Sequence, residues 1–265
     1  MKLKQADSSL VSFTWTGSTN NYNTRTNGEP YRITIHHAAN GTGCNNGYSA
    51  SALNVIFETL NSKKGSVHYG IDSNGKIGQM LAEKYRPWTS DSRANDQVAY
   101  TMEICNDKGK PTYHVSDKAL NACIELCADI CKRHNKTKLL YIADSKTALA
   151  YKPKADEMII TLHKWLTATT CPEQYLSSKM PYIAEQVTNK LTPSKLPYII
   201  RVTYPGGLNV RKGAGVTFEK TGIVIKQGEV YTIVEEKTTG GQLWGRLKSG
   251  AGWICLTGYT EKVTK

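Results

Sequence analysis

The sequence predicts an α/β domain, with a central mixed sheet covered by helices, followed by a small all-β barrel. Two observations lead to this fold class. Over roughly the first 190 residues, short β-branched runs alternate with amphipathic helical patterns, whereas beyond residue 197 short strands follow one another between glycine-rich turns. The 265 residues of the chain are enough for one full domain and a small module.

The elements of the first domain follow from hydrophobic periodicity. β-branched or aromatic runs mark the strands, and apolar residues that recur every three or four positions mark the helices. The predicted strands lie at about 31–37, 66–72 and 98–105, and the predicted helices at about 49–60 and 117–133.

The cysteines of the second predicted helix allow two interpretations. Cys123, Cys127 and Cys131 are four residues apart with His134 nearby, which is a possible metal site. The same cysteines belong to an apolar helical stripe, where free cysteine packs as a small hydrophobic residue. We therefore expect core thiols, and the total of seven cysteines favours synthesis in a reducing compartment.

The domain boundary is predicted from a change of composition. Residues 191–197 contain two prolines and little to bury, which is typical of a linker. This divides the chain into a domain at 1–190 and a domain at 198–265. The second domain should hold six short strands between turns.

Charge and hydropathy limit the classes of partner that the chain can be expected to bind. The net charge is +12 and both domains are basic, which suits an anionic partner. The basic residues are scattered and not clustered with aromatic residues, so nucleic acid is not expected. We expect no membrane span, because no apolar run reaches about 18 residues. The polar N-terminus does not resemble a signal peptide, so we expect synthesis in the cytoplasm.

A set of metal-binding residue types is the most informative feature. The pair His36-His37, His163 and Cys171 can together supply two imidazoles and one thiolate. Three protein ligands leave one tetrahedral position open, which is typical of catalytic zinc and not of structural zinc. Successive strand residues point to opposite faces, so only one histidine of the pair can enter a given site. A histidine pair on a strand can also be purely structural.

Five segments in order resemble one family, the zinc-dependent N-acetylmuramoyl-L-alanine amidases, which are related to phage lysozyme-amidases and to peptidoglycan recognition proteins. The similarity covers about residues 20–185 and rests on Ile33–Ala38, Tyr69–Asp72, Thr101–Asp107, His163–Trp165 and Cys171–Pro172. The resemblance implies cleavage of the bond between muramic acid and L-alanine in peptidoglycan. It also implies that His36, His163 and Cys171 hold Zn²⁺.

Glu103 is the predicted catalytic residue. It lies within an apolar strand, where a carboxylate is costly unless it is paired or set in a polar cleft. Amide hydrolysis needs a group that accepts a proton from water and returns it to the leaving amine. The catalytic glutamate of the family corresponds to Glu103. The alternative is a strand glutamate that faces solvent.

Three positions depart from the family pattern. Thr169 stands where some branches have a lysine that stabilises the oxyanion, so a neutral substrate or oxyanion contact is expected there. His68 replaces a frequent asparagine and Glu173 a frequent glycine. The sequence assigns no role to either of these two.

The second domain resembles bacterial SH3 domains, which bind cell walls. The similarity covers about residues 198–262 and rests on Leu208–Gly213, Trp244–Leu247 and Gly252–Ile254. Trp244 and Trp253 are interpreted either as a saccharide or peptide platform or as barrel core. The implied partners are peptidoglycan and the anionic wall polymers of a Gram-positive host.

Together these features predict a modular peptidoglycan hydrolase, a phage endolysin synthesised in the host cytoplasm that acts on the cell wall. Two alternatives stay open at this point. One is a binding protein of the same fold that does not cut peptidoglycan. The other is a zinc peptidase that cuts within the stem peptide.

Overall fold

The computed structural model describes residues 2–26, 28–39, 50–192 and 196–263. The chain divides into two compact units, Met1–Thr192 and Pro193–Lys265. Part of the predicted linker, 193–195, lies outside the described residues, as do residue 49 of the first predicted helix and residues 264–265 of the second predicted domain. Across the described ranges, no helix combines the length and apolar character that crossing a membrane requires.

The first unit is built on a mixed sheet. Its strands are β1 (Val11–Thr14), β2 (Tyr22–Thr24), β3 (Arg32–His37), β4 (Tyr69–Ile71), β5 (Ile77–Gln79), β6 (Tyr85–Pro87), β7 (Ala99–Ile104), β8 (Lys138–Leu140) and β9 (Glu157–Leu162). Seven of them form one sheet in the order β1-β5-β4-β7-β3-β9-β8, while β2 pairs with β6 separately. The neighbours β4-β7, β7-β3, β3-β9 and β9-β8 are parallel, and β4-β5 is antiparallel.

Within the described ranges, five α-helices accompany this sheet, and a short 3-10 helix, His163–Trp165, follows β9. The α-helices are α1 (Ala50–Ser62), α2 (Arg93–Asp96), α3 (Asp117–Arg133), α4 (Ser145–Ala150) and α5 (Glu173–Leu191). The predicted mixed α/β architecture is confirmed, and the predicted strands and helices are found within a few residues of their expected bounds.

The two faces of the central strands differ in character. Ile33 and Ile35 of β3 belong to the main apolar cluster, which also contains the buried residues of α3 and α5. Thr34 and His36 alternate with them and therefore lie on the opposite face. The site described below is carried by this second, polar face.

The cysteines of α3 are core residues. Cys123, Cys127 and Cys131 are buried and free. The thiol of Cys123 lies 3.7 Å from the sulfur of Met102 within the apolar cluster. The predicted core thiols are thus found. Cys105 is disulfide-bonded, which the cysteine count did not predict.

The second unit is all-β, as predicted. Its strands are β10 (Tyr198–Val202), β11 (Leu208–Arg211), β12 (Lys220–Ile225), β13 (Val230–Thr239), β14 (Gln242–Leu247), β15 (Trp253–Cys255) and β16 (Thr260–Lys262). They form one sheet in the order β12-β11-β15-β14-β13-β10-β16. Alternate residues such as Val210 and Ile254 point inward and form an apolar core of their own.

Candidate metal centre and its carboxylate

Three donor side chains meet at the carboxyl ends of two adjacent parallel strands. Thr34 of β3 pairs with Thr161 of β9, so His36 and His163, each two residues further on, lie side by side on the same face. Cys171 arrives from the segment before α5, where its carbonyl accepts a hydrogen bond from the Lys164 N–H at 2.9 Å. Residues that are far apart in the sequence therefore lie together at this edge of the sheet.

Two of the three distances between donor atoms are close to those of tetrahedral zinc. The Nδ1 atoms of His36 and His163 are 3.1 Å apart, and the Cys171 Sγ lies 3.7 Å from His36 Nδ1. Zinc with its usual bond lengths to nitrogen and sulfur would place such atoms about 3.3 Å and about 3.6 Å apart. The three ligand atoms all lie within 4.8 Å of one another. Two imidazoles and one thiolate thus fit zinc in both chemistry and spacing.

Burial sets the protonation of these donors. It lowers the pKa of His36, and the nearby His163 and His37 lower it further, so the imidazole is neutral and its lone pair is free to bind a cation. Burial, followed by the charge of Glu103, raises the pKa of Cys171. The thiol therefore becomes a thiolate only when a cation takes the place of its proton.

His37 has a different environment. Its Nδ1 lies 3.1 Å from Asn106 Oδ1, and its ring makes an edge contact with Tyr113 at 4.9 Å between centroids. The alternation of β3 thus directs His36 towards His163 and Cys171, and His37 away from them.

Glu103 lies beside the donors. It occupies β7, where it is the register partner of His36 in the adjacent parallel strand. Its side chain is buried, and its Oε2 has no hydrogen-bond partner within the described ranges. Burial raises the pKa of Glu103 to about 8. The alternative of a solvent-facing strand glutamate does not agree with this position.

Thr169 is placed on the segment that carries the cysteine. Its half-buried hydroxyl oxygen accepts a hydrogen bond from the Cys171 N–H at 3.3 Å. The hydroxyl hydrogen stays available for a further acceptor.

The two other departures from the family pattern have structural explanations. Glu173 has φ +65°, a backbone conformation that glycine adopts without strain. His68 is buried and accepts the Thr101 N–H at Nδ1, while its Nε2 faces the Tyr85 carbonyl at 3.1 Å. Burial, followed by the charge of Arg25, lowers the pKa of His68 to about 3, so it is a neutral structural residue.

A buried polar network beneath the histidines was not predicted from the sequence. The hydroxyls of Thr34 and Thr161 are 2.8 Å apart, and the Asn95 side-chain amide donates to Thr34 Oγ1 at 2.9 Å. Arg32 in turn donates to Asn95 Oδ1 at 3.2 Å. This network joins β3 to β9 two residues before His36. The only sequence signal is the polar alternation in two apolar strands.

A second arginine, Arg25, connects the N-terminal part of the unit to the segments around residues 83 and 96–99 by hydrogen bonds. Arg25 donates to the carbonyls of Glu83, Asp96, Gln97 and Ala99 at 2.7–2.9 Å. Four acceptors on two chain segments are thus satisfied by one side chain.

Comparison with known protein families matches residues 26–174 to N-acetylmuramoyl-L-alanine amidase. The match covers more than half of the chain. The chain belongs to this amidase family. Its function is hydrolysis of the amide bond between N-acetylmuramic acid and L-alanine in peptidoglycan. The amidase family predicted from the sequence motifs is therefore confirmed, and its dependence on zinc stays a prediction.

Several solved structures are similar to this amidase. The N-acetylmuramoyl-L-alanine amidase LysC from Clostridium intestinale URNW is 18% identical, with 68% of this chain and 94% of that chain covered and a TM-score of 0.41. A mutant endolysin from Bacillus subtilis is 18% identical, with coverage of 66% and 97% and a TM-score of 0.44. The Staphylococcus aureus hydrolase AmiA is 15% identical, with coverage of 72% and 94% and a TM-score of 0.48. Comparison with curated proteins gave no match.

Proposed function

We propose that this amidase is a zinc enzyme in which His36, His163 and Cys171 hold the metal and Glu103 carries the proton. The observation that supports it is the convergence of two imidazole nitrogens and one sulfur, at 3.1 and 3.7 Å, next to a buried carboxyl group. Zinc in such a site supplies Lewis-acid polarisation of a carbonyl and lowers the pKa of water.

Glu103 performs the proton transfer in this proposal. Hydrolysis adds a hydroxyl to the lactyl carbonyl carbon and breaks its bond to nitrogen, so the L-alanine nitrogen needs a proton in order to leave as an amine. Glu103 Oε2 has no hydrogen-bond partner among the described residues and is free to accept a proton from the attacking water. A pKa of about 8 keeps both the ionised and the protonated form of Glu103 accessible near neutral pH, so the carboxylate can accept that proton and the acid can return it.

Thr169 is proposed as a substrate contact. Its oxygen already accepts a hydrogen bond from the backbone, so its hydroxyl hydrogen is the part that can donate to the carbonyl oxygen of the substrate. A neutral donor stabilises developing negative charge less than a lysine does. The larger part of that stabilisation is therefore assigned to the metal site.

The test of the metal site compares two adjacent histidines. His36→Ala should lose bound zinc and wall lysis together, because a three-ligand site loses affinity with each donor. His37→Ala is the matched control and should keep its zinc, because His37 contacts Asn106 and Tyr113 instead. Zinc content is measured by atomic emission. Full zinc content and normal lysis in His36→Ala would refute the assignment.

The test of the reaction uses Glu103→Gln and the cleavage products. This variant should keep zinc but lose about 10²- to 10⁴-fold in turnover, the usual contribution of general acid–base catalysis. Mass spectrometry of digested walls should show new L-alanine amino termini with the wild type. Cuts inside the stem peptide would indicate a peptidase, and bound walls without any cut would indicate a binding protein.

We also propose a targeting role for residues 198–265, as an SH3-like barrel that binds peptidoglycan and anionic polymers of Gram-positive walls. Support comes from the compact all-β unit and from the basic charge of the chain, +12. A catalytic domain joined to such a unit is the organisation we propose for a phage endolysin, synthesised in the host cytoplasm and acting on the wall. Tethering raises the effective concentration of scissile bonds.

A further inference from the structure

The C-terminal unit contains a cavity of about 200 Å³. Pockets for drug-sized ligands span roughly 300–1,000 Å³, so this cavity suits a smaller unit such as one sugar ring. Its walls come from the turn before β11, from β11 itself, and from residues of β14, β15 and the turn before β16. The lining residues that carry the argument are Tyr204, Asn209, Arg211, Gln242, Trp244 and Tyr259.

Aromatic side chains form much of the lining. Tyr204 and Tyr259 make an edge-to-face contact with their ring centroids 5.0 Å apart, and Tyr204 is 45% exposed. Trp244 also lines the cavity, although it is only 2% exposed, and its Nε1 has no hydrogen-bond partner among the described residues. A buried indole N–H without an acceptor is costly, so a ligand that brings an oxygen acceptor is favoured.

Uncommitted amide groups complete the polar lining. The side chains of Asn209 and Gln242 make no hydrogen bond to any residue in the described part of the chain. Each amide can both donate and accept. Sugar hydroxyls and acetamido groups also donate and accept, so the lining matches an N-acetylated sugar.

The charged side chain that lines the cavity is positive, that of Arg211. Arg211 Nη1 donates to the carbonyls of Val216 and Phe218 at 2.8 and 2.7 Å, which holds the guanidinium in a fixed orientation. Arg211 pairs with no carboxylate among the described residues, and no acidic residue lines the cavity. A fixed, unpaired guanidinium selects a carboxylate or another anion and disfavours an amine.

We propose that this cavity binds N-acetylmuramic acid whose lactyl carboxylate is free. The tyrosine rings cover the sugar face, the amides and the indole N–H bind the acetamido and hydroxyl groups, and Arg211 pairs with the carboxylate. Amide hydrolysis creates this group, because water supplies the hydroxyl to the lactyl carbon and the proton to the departing L-alanine amine. The inference rests on the wall-binding role proposed above, and it names the product glycan as the ligand.

A stem peptide fits the same cavity less well. Peptide segments also present carbonyl acceptors to an indole N–H. The peptide released by the reaction has a carboxylate that Arg211 can pair with. It also has a free amino terminus, for which the cavity offers no carboxylate, and it has no sugar ring for Tyr204 and Tyr259 to cover. Before hydrolysis the lactyl carbonyl is an uncharged amide, so Arg211 has no anion to bind there. The cavity should therefore prefer cleaved glycan to intact substrate.

The test is a titration of the full-length Glu103→Gln protein followed by the indole N–H resonance of Trp244 in ¹⁵N NMR, assigned with Trp244→Phe. The probes are N-acetylmuramic acid, its methyl ester, N-acetylglucosamine and tri-L-alanine. N-acetylmuramic acid should shift the resonance and saturate at a concentration about tenfold or more below the ester and N-acetylglucosamine, since a hydrogen bond to a charged group is worth that factor. Tri-L-alanine carries a carboxylate but no sugar, so it should leave the resonance unchanged at the concentrations at which N-acetylmuramic acid saturates.

Two arginine variants form a matched pair. Arg211→Gln should lose the preference for the acid over the ester, while Arg201→Gln, at an exposed arginine of β10 outside the cavity, should keep it. Equal affinities for acid and ester in the wild type would overturn the proposal. A shift caused by the tripeptide but not by sugars would assign the cavity to a peptide instead.

Sedimentation with intact walls separates this proposal from the one on which it rests. A protein that sediments with walls but shows no Trp244 shift with N-acetylmuramic acid keeps its targeting role and refutes the cavity assignment. A protein that stays in the supernatant refutes the targeting role. The sugar titration then decides the cavity assignment by itself.

Discussion

Thr161→Val tests the buried polar network that joins β3 to β9 beneath the histidines. The substitution keeps the shape of the side chain but removes the hydroxyl that lies 2.8 Å from Thr34 Oγ1. The Thr34 oxygen still accepts a hydrogen bond from Asn95, but its hydroxyl hydrogen loses its acceptor, and Asn95 Oδ1 loses the bond from Thr161. Thr161 is fully buried, so no water replaces these partners. An unsatisfied buried group costs about 1–3 kcal/mol.

This cost translates into a measurable change in melting temperature. In a unit as large as Met1–Thr192, each kcal/mol shifts the melting temperature by about 2–4 °C, so a decrease of roughly 2–12 °C is expected. Thr137→Val is the control, because Thr137 makes a hydrogen bond to Asp156 at 2.8 Å that is exposed to solvent. The control should change the melting temperature much less.

A double-mutant cycle isolates the threonine pair. Thr34→Val and Thr161→Val each remove one bond to Asn95, and both remove the bond between the two hydroxyls. The double variant should therefore be more stable than the sum of the two single effects implies, by about 0.5 kcal/mol or more. Thermal melts of the zinc-free and zinc-loaded protein give these free energies. Strict additivity, or a loss in Thr161→Val no larger than in Thr137→Val, would refute the stabilising role of the network.

Three further outcomes are expected. A chelator should lower the melting temperature of the wild type, because zinc stabilises the state that binds it, and it should leave Cys171→Ala unchanged. Burial alone raises the pKa of Glu83, but hydrogen bonds from Arg133 and His134 hold that pKa well below its usual range. A carboxyl group with a depressed pKa stabilises the fold above its unfolded pKa of about 4.3 and loses this contribution as the pH falls. Glu83→Gln should therefore lower the urea midpoint at pH 7 and make that midpoint fall less steeply with decreasing pH. A midpoint that falls in parallel with that of the wild type would contradict this. Residues 1–192 should cleave soluble muropeptides normally but lyse whole walls more slowly than the full chain, and equal rates on walls would contradict the tether.

The sequence predicts those parts of the fold that carry a local pattern. The apolar stripe of α3 and the β-branched run of β3 are visible without any tertiary information. The pattern does not predict short strands such as β1 and β8, because three or four residues at the ends of a sheet give little periodicity. β9 is also not among the predicted strands, although Glu157–Leu162 contains a β-branched run.

The candidate site also contains residues that the sequence predicts and residues that only the packing of the elements brings into place. Residue type and order suggested His163 and Cys171, and the strand motif suggested Glu103. The burial of Asn95 and the bonds it makes depend on where α2 packs, which no local pattern encodes. The cavity beside Trp244 also arises only when β11, β14 and β15 come together.

Arg25 shows that the segment that matches the family is shorter than the segment that the fold needs. The family match begins at residue 26, one position after the side chain that holds four carbonyls on β7 and the segments before it. The match also omits β1 and the buried Trp15, and it ends at residue 174, near the start of the 19-residue helix α5. A protein shortened to 26–174 would keep every predicted catalytic group yet lack the structure that supports them. Engineered catalytic fragments of this amidase should therefore begin before β1 and end after Leu191.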